Sequence, residues 1–261
     1  MNWRRLGPLY DVMVALQFLT RLPMPRDLNP GAQSLGRAAV HFPVVGVIVG
    51  GMLALVSLGL AQTPWGSGVQ IAILLALGVA LTGAFHEDGL ADTFDGLWGG
   101  YTRDDVLRIM RDSRIGTYGG AALLLLFVFR ASALGGMSRD LWPVALMAAH
   151  VAGRTSSLWM LRAMPYARAD AAPGVAKPLV EGLTWGRCAL GLALSQGILF
   201  AICGSLGLWI GVGVCALSGV CGLYLMRRLG GMTGDTLGAV SVLCEVSVLL
   251  TYAWLWPLGG A

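Results

Sequence analysis

Lysine is almost missing from this chain, and charge of any kind is scarce. Lys177 stands alone against seventeen arginines, and Asp, Glu, Lys and Arg together make up 12% of the 261 residues. A soluble domain carries about twice that share, so a water-exposed globular fold is excluded. No C-x-x-C pair occurs among Cys188, Cys203, Cys215, Cys221 and Cys244, which argues against zinc-ribbon and dithiol redox chemistry and leaves five small buried hydrophobes. The sequence also shows no repeat of fixed period, no low-complexity tract and no A-x-A-like ending that would mark a cleavable signal peptide.

What fills the chain is apolar residue: 56% of it is hydrophobic, with a mean hydropathy of +0.70. Seven stretches, at 38–62, 68–85, 119–137, 142–163, 187–204, 208–226 and 236–257, are long and uncharged enough to cross about 30 Å of hydrocarbon. The expected fold class is therefore all-α: a polytopic integral membrane helix bundle of about seven transmembrane helices, forming a single integral membrane domain over 1–261. Residues 10–20, closed by Arg21 and two prolines, read as an interfacial or half-buried helix. Fifteen basic residues, from Arg4 through Arg26 to Arg228, fall in the loops on one side and only Arg139 on the other. Positive loops mark the cytoplasm, which places the N-terminus there. This topology explains the net charge of +4, so the charge implies no nucleic-acid partner. Membrane lipid is the expected surround.

Against this background the segment "HEDGLADTFDG", residues 86–96, is conspicuous: seven of the fourteen acids lie between Glu87 and Asp112. If the second span continues as helix, Asp88, Asp92 and Asp95 stand at i, i+4 and i+7, within about 40° of one another around the axis. No basic residue intervenes to offset three stacked carboxylates, so a cation must. All-oxygen donors with room for water suit Mg²⁺ or Mn²⁺, and Glu87, Asp88, Asp92 and Asp95 are the candidate metal residues. Asp92, between the other two, is the candidate central carboxylate, and neighbouring His86 a candidate base. Gly89 and Gly96 are where this helix could break.

Two further polar segments share that side. In "MRDSRIGTYGG", residues 110–120, guanidinium and hydroxyl donors precede a helix start whose free N–H groups favour anions. Arg111, Asp112, Ser113, Thr117 and Gly119 form the candidate substrate-phosphate site there, with Arg114 offsetting transition-state charge. "GGMTGDTLGA", residues 230–239, opens the last span and contributes Asp235, which could equally be an N-cap. Arg130, Arg154 and Glu245 are placed within spans, where charges pair inward or line a cavity. His41 and His150 read as hydrogen-bonded interior histidines. Carboxylates, arginines and a helix start on one face are the parts of metal-assisted phosphoryl chemistry.

Together "FLTRLP", "FPVVG", "HEDGLADTFDG", "DSRIGTYG" and "TGDTLGA" make the chain resemble the adenosylcobinamide-GDP ribazoletransferases, the cobalamin synthases, from Leu16 to Leu250. The resemblance implies an enzyme of the bacterial inner membrane that uses Mg²⁺ to join adenosylcobinamide-GDP to α-ribazole or its 5′-phosphate, releasing GMP. The loop count turns the acidic cluster, and with it the expected active site, toward the cytoplasm, and the oligomeric state, a homo-oligomer included, stays open. Glu87, Asp88, Asp92 and Asp95 match the family's acidic motif, and Asp112, Ser113 and Arg114 match its second. Three other readings weigh less. A CDP-alcohol phosphatidyltransferase would share D-x-x-D-G but not the "LWGG" that follows; a membrane prenyltransferase needs a second acidic cluster, where residues 121–261 hold only scattered acids such as Asp170. A cation permease needs mid-membrane acids, for which Glu245 alone qualifies.

Overall fold

A computed structural model describes residues 3–25, 28, 30–168 and 176–258; Arg26 and Asp170 of the sequence reading lie outside them. The described residues form twelve α-helices and no strand beyond two isolated bridges. In chain order these are α1 (Pro8–Leu19), α2 (Ala32–Ala38), α3 (Phe42–Leu60), α4 (Ser67–Thr82), α5 (Phe85–Gly99), α6 (Arg103–Ile109), α7 (Thr117–Gly135), α8 (Trp142–Ala163), α9 (Lys177–Gly182), α10 (Trp185–Cys203), α11 (Ser205–Leu229) and α12 (Gly234–Leu255).

Five helical stretches are long and apolar enough to span a membrane, and α4 with α5 forms a sixth candidate bent by 89°. The seventh expected span is α8. Its 22 residues reach about 33 Å, but His150, Arg154 and Arg162 dilute its hydropathy. It tolerates them because it is the hub of the bundle, packed by α3, α10, α11 and α12 and buried along most of its length. Hydrophobicity gives no drive to helix association in lipid, so close approach must supply it. Gly46 and Gly50 of α3 provide that approach: a Cβ on Gly46 would lie 2.6 Å from the His150 carbonyl oxygen, and one on Gly50 2.7 Å from Met147 Cα. Cys188 and Cys244 are buried as expected; Cys215 instead lies exposed on α11.

The break between α4 and α5 falls earlier than the sequence suggested. Gly89 and Gly96 both remain helical, and the chain turns at Gly83 (φ 66°) and Ala84 (φ 57°). Two consecutive left-handed residues end one helix and start the next. At Gly83 the conformation is free, whereas at Ala84 it costs about 1 kcal/mol. The Arg21 amide donates to the Leu81 carbonyl at 2.7 Å and its side chain fills the space a Gly83 Cβ would need, so α1's exit braces the turn. The polar "YTRDDVLR" segment holds α6, started by a Thr102–Asp105 capping box.

Candidate active site

Inside α5 the glycines set the distance to α12. A Cβ on Gly89 would come within 2.7 Å of the Asp235 carbonyl oxygen, and one on Gly238 within 3.3 Å of His86 Cα. Asp235 therefore sits directly against α5. It is not the N-cap: Thr233 caps α12, with Thr236 completing the box, which leaves the Asp235 carboxylate for other work. Asp88 is exposed, Asp92 half-buried, and Asp88 and Asp235 are the acids whose charges bear most on Asp92. The expected pairing of Asp88 with Asp92 on one helical face is thus present, but its third member is Asp235.

Arg168 supplies the offsetting cation, 2.8 Å from Asp235 Oδ2. It is placed by a local clasp in which the Ala167 amide donates to the Met232 carbonyl (2.8 Å) and the Met232 amide to the Pro165 carbonyl (2.9 Å). In the sequence Arg168 stands only as one more positive loop residue. The T-x-x-T spacing of Thr233 and Thr236 was the one signal that could have freed Asp235 from a capping role.

Asp95 has turned elsewhere. It is buried, and its Oδ2 accepts from the Gly116 amide at 2.7 Å while Oδ1 accepts from the Gly119 amide at 2.8 Å. A Cβ on either glycine would collide with that carboxylate. The α7 start is indeed an anion site, but the anion is the protein's own. In the structure the Gly119 amide thus serves an internal carboxylate, and Asp95 fixes α7 to α5. Glu87 is likewise buried, with Oε1 accepting from Arg130 Nη1 at 2.8 Å. Among the described residues no three His, Cys, Asp or Glu side chains converge as a ready-made metal cage.

Beside Asp95 opens a cleft of about 640 Å³ walled by Arg108, Arg111, Asp112, Arg114, Thr117 and Tyr118, among others. A second of about 480 Å³ lies across α6 and shares Arg108 and Arg111, adding Arg103 and Arg168. Arg103 is held by the Leu229 and Ala167 carbonyls at 2.9 and 2.6 Å, and Arg228 by the Gly100 carbonyl at 2.5 Å, so α6 is tied to the end of α11. Arg114 grips Asp112 in a fork (Nη2–Oδ2 2.6 Å, Nε–Oδ1 3.0 Å). The Arg114 hydrogen bonds hold the Asp112 carboxyl down at about 2. Ser113 is exposed but forms no part of the cleft wall.

His86 lies about 9 Å up α5 from Asp92, buried edge-on against Phe85 (5.3 Å). It faces a separate apolar pocket of about 40 Å³ with Ser157 and Ser241, which places it away from the cleft where a base would act. The deeper charges pair among themselves. Glu245 accepts from Arg130 Nη2 at 2.5 Å and from Arg154 Nη1, and Arg154 also contacts His150 Nδ1 at 3.0 Å. That bears out His150 as an interior hydrogen-bonded histidine.

A bundle of membrane-length helices with arginine-lined clefts and a group of carboxylates beside them has the build of an integral-membrane transferase. Residues 11–253 match the Cobalamin-5-phosphate synthase family, and the chain belongs to it. Relatives named adenosylcobinamide-GDP ribazoletransferase include those of Leptothrix cholodnii, 40% identical with 93% of each chain covered, and Rhizobium etli, 40% identical over 93% of this chain and 96% of the relative. That of Ralstonia pickettii is 36% identical over 92% and 94%. No solved structure matches.

Proposed function

We propose that this protein is an adenosylcobinamide-GDP ribazoletransferase that joins GDP-activated adenosylcobinamide to α-ribazole or α-ribazole 5′-phosphate and releases GMP. The observation that carries the proposal is the grouping of Asp88, Asp92 and Asp235 around Arg168, which also lines a cleft with Arg103, Arg108 and Arg111. A ribose hydroxyl of the acceptor attacks the phosphorus bonded to cobinamide, and the bond from that phosphorus to the GMP oxygen breaks. Asp92 takes the hydroxyl proton, while Arg111 and Arg114 hold the phosphate oxygens and the departing GMP. The arginines suit this because guanidinium forks match phosphate geometry.

The donor set fits Mg²⁺, or Mn²⁺ in its place. Asp88, Asp92 and Asp235 are oxygen donors without a closed cage, and such an ion takes few carboxylates and completes its shell with water and phosphate. When bound, the ion neutralises the pyrophosphate. The excess of arginine on the cleft side supports a cytoplasmic cleft in a bacterial inner membrane. Tyr101, 91% exposed beside α6, gives the topology test: Tyr101→Cys in a cysteine-free background should react with an impermeant thiol reagent only in opened cells, and labelling of intact cells would reverse the orientation. Turnover of GDP-cobinamide by detergent-purified protein tests the reaction itself. No GMP release with either form of ribazole would overturn it.

A further inference from the structure

Four charged side chains lie in the interior of the bundle, well away from the cleft. Arg130 and Glu245 sit about 20 and 16 Å down their helices from the cleft end. Each is nine-tenths or more buried, as are Glu87 and Arg154. The two acids and two bases cancel, and they join helices that are distant in sequence: Arg130 of α7 reaches Glu87 of α5 at 2.8 Å and Glu245 of α12 at 2.5 Å, and Glu245 also takes Arg154 of α8. Buried ion pairs recover their desolvation cost only with good geometry and contribute little to stability over apolar side chains of similar volume. What they add is a defined register, since a charge left unpaired in that setting is not tolerated.

The helices joined are the ones that carry the proposed chemistry. Asp88 follows Glu87 by one residue and Asp92 by five; Asp235 precedes Glu245 on α12. Gly89 and Gly238 let α5 and α12 touch and leave no bulky side chain there to stop one sliding past the other. A cavity of about 30 Å³ opens between Glu87, Arg130, His150, Arg154 and Glu245. Glu87 Oε2 and Arg154 Nε, both buried, have no hydrogen-bond partner among the described residues. The space exceeds the 10–15 Å³ or so that one water needs, and these side chains offer it polar partners within a wall otherwise formed mainly by leucines.

We propose that Glu87, Arg130, Arg154 and Glu245, completed by a bound water, are positioning residues that set the register of α5 against α12 and thereby the spacing of Asp88 and Asp92 from Asp235. The proposal rests on the ribazoletransferase reading for its catalytic consequence, but not for its geometry. Replacing the whole quartet by Glu87→Leu, Arg130→Met, Arg154→Met and Glu245→Leu removes every charge at once. Spin labels on cysteines replacing Trp98 of α5 and Trp254 of α12, both exposed, read the register without any substrate.

The expected result is a folded quartet variant with a melting temperature near the parent's, a widened label distance distribution, a turnover lowered at least about tenfold and KM values within about threefold. A parent-like distribution with parent-like turnover would overturn the proposal and reduce the network to a tolerated cluster. If the quartet variant does not fold, Arg130→Lys and Glu245→Asp keep both charges and shift their heads by about 1.5 Å. Lowered turnover and a shifted distribution at unchanged melting temperature then support positioning, and parent values of both refute it. An inactive parent would sink the proposed reaction instead, and the label distances would still decide the register.

Discussion

Neutralising Asp92 while preserving its shape tests the site most directly. In the structure the half-buried Asp92 lies in the field of Asp88 and Asp235, with Arg168 the cation acting on it. Asp92→Asn keeps the volume and one acceptor oxygen, so helix packing and membrane insertion should survive. It removes the proton acceptor and one of three charges available to a divalent ion. Loss of one major electrostatic contribution to a transition state costs about 100- to 1000-fold in turnover, or about 2.7–4 kcal/mol. Turnover should therefore fall at least about 100-fold. Asp104→Asn is the matched control: its carboxylate is 92% exposed and makes only a surface pair with Arg103 at 3.4 Å, so a few-fold change is expected. The assay is initial-rate GMP release by purified protein in detergent, with a melting curve on each variant. A folded Asp92→Asn enzyme within about tenfold of the parent would refute both roles assigned to Asp92. Equal losses in the two variants would point to a general field effect instead.

Gly119→Ala places a methyl group against the Asp95 carboxylate and should lower the melting temperature by several degrees, whereas Gly120→Ala, whose added Cβ meets only Ile115 Cγ2 at 3.9 Å, should leave it unchanged; equal melting temperatures would contradict the internal cap. Asp112 is held down at about 2 by Arg114, and a depressed carboxylate keeps its contact above that value and loses it only as pH falls through it. Asp112→Asn should thus change the height of the pH–rate profile between about pH 5 and 9 but not its shape; a shifted acid limb would assign that limb to Asp112. Mg²⁺ binding measured by titration calorimetry should be weak in free protein and strengthen with GMP or GDP-cobinamide; tight binding without nucleotide would argue for a closed metal cage that the carboxylates do not form.

The helical phase of Asp88 and Asp92 was legible because a 3.6-residue period depends on nothing beyond the segment itself. The span boundaries were legible for the same reason, and the α7, α8, α10 and α12 ends fall within two residues of the expected ones. What the segment could not reveal was which of its acids another helix would claim. Asp95 looks the same as Asp92 in sequence, yet the two glycine amides 21 and 24 residues later take its oxygens. Glu87 was lost to Arg130, 43 residues away, and Asp235 came in from 140 residues beyond Asp95. Each reassignment depends on a tertiary contact with no local signature. The turn at Gly83 and Ala84 escaped for a related reason: nothing in "LTGAF" requires a left-handed alanine, and the contacts around it, from Arg21 and from α5 packing on α12 and α7, are tertiary.

The pairing of Arg130 with Glu245, 115 residues apart, also bears on how the chain is made. At about 5–20 residues per second, synthesis of that stretch takes about 6–23 s. Arg130 can find Glu87 as soon as α7 follows α5 out of the ribosome, but Arg154 has no direct ion-pair partner until the last helix emerges. Through that interval α8 carries a bare cation, so the bundle remains incomplete at its hub. A chain stopped before α12 would leave Arg154 without its ion-pair partner inside the bundle.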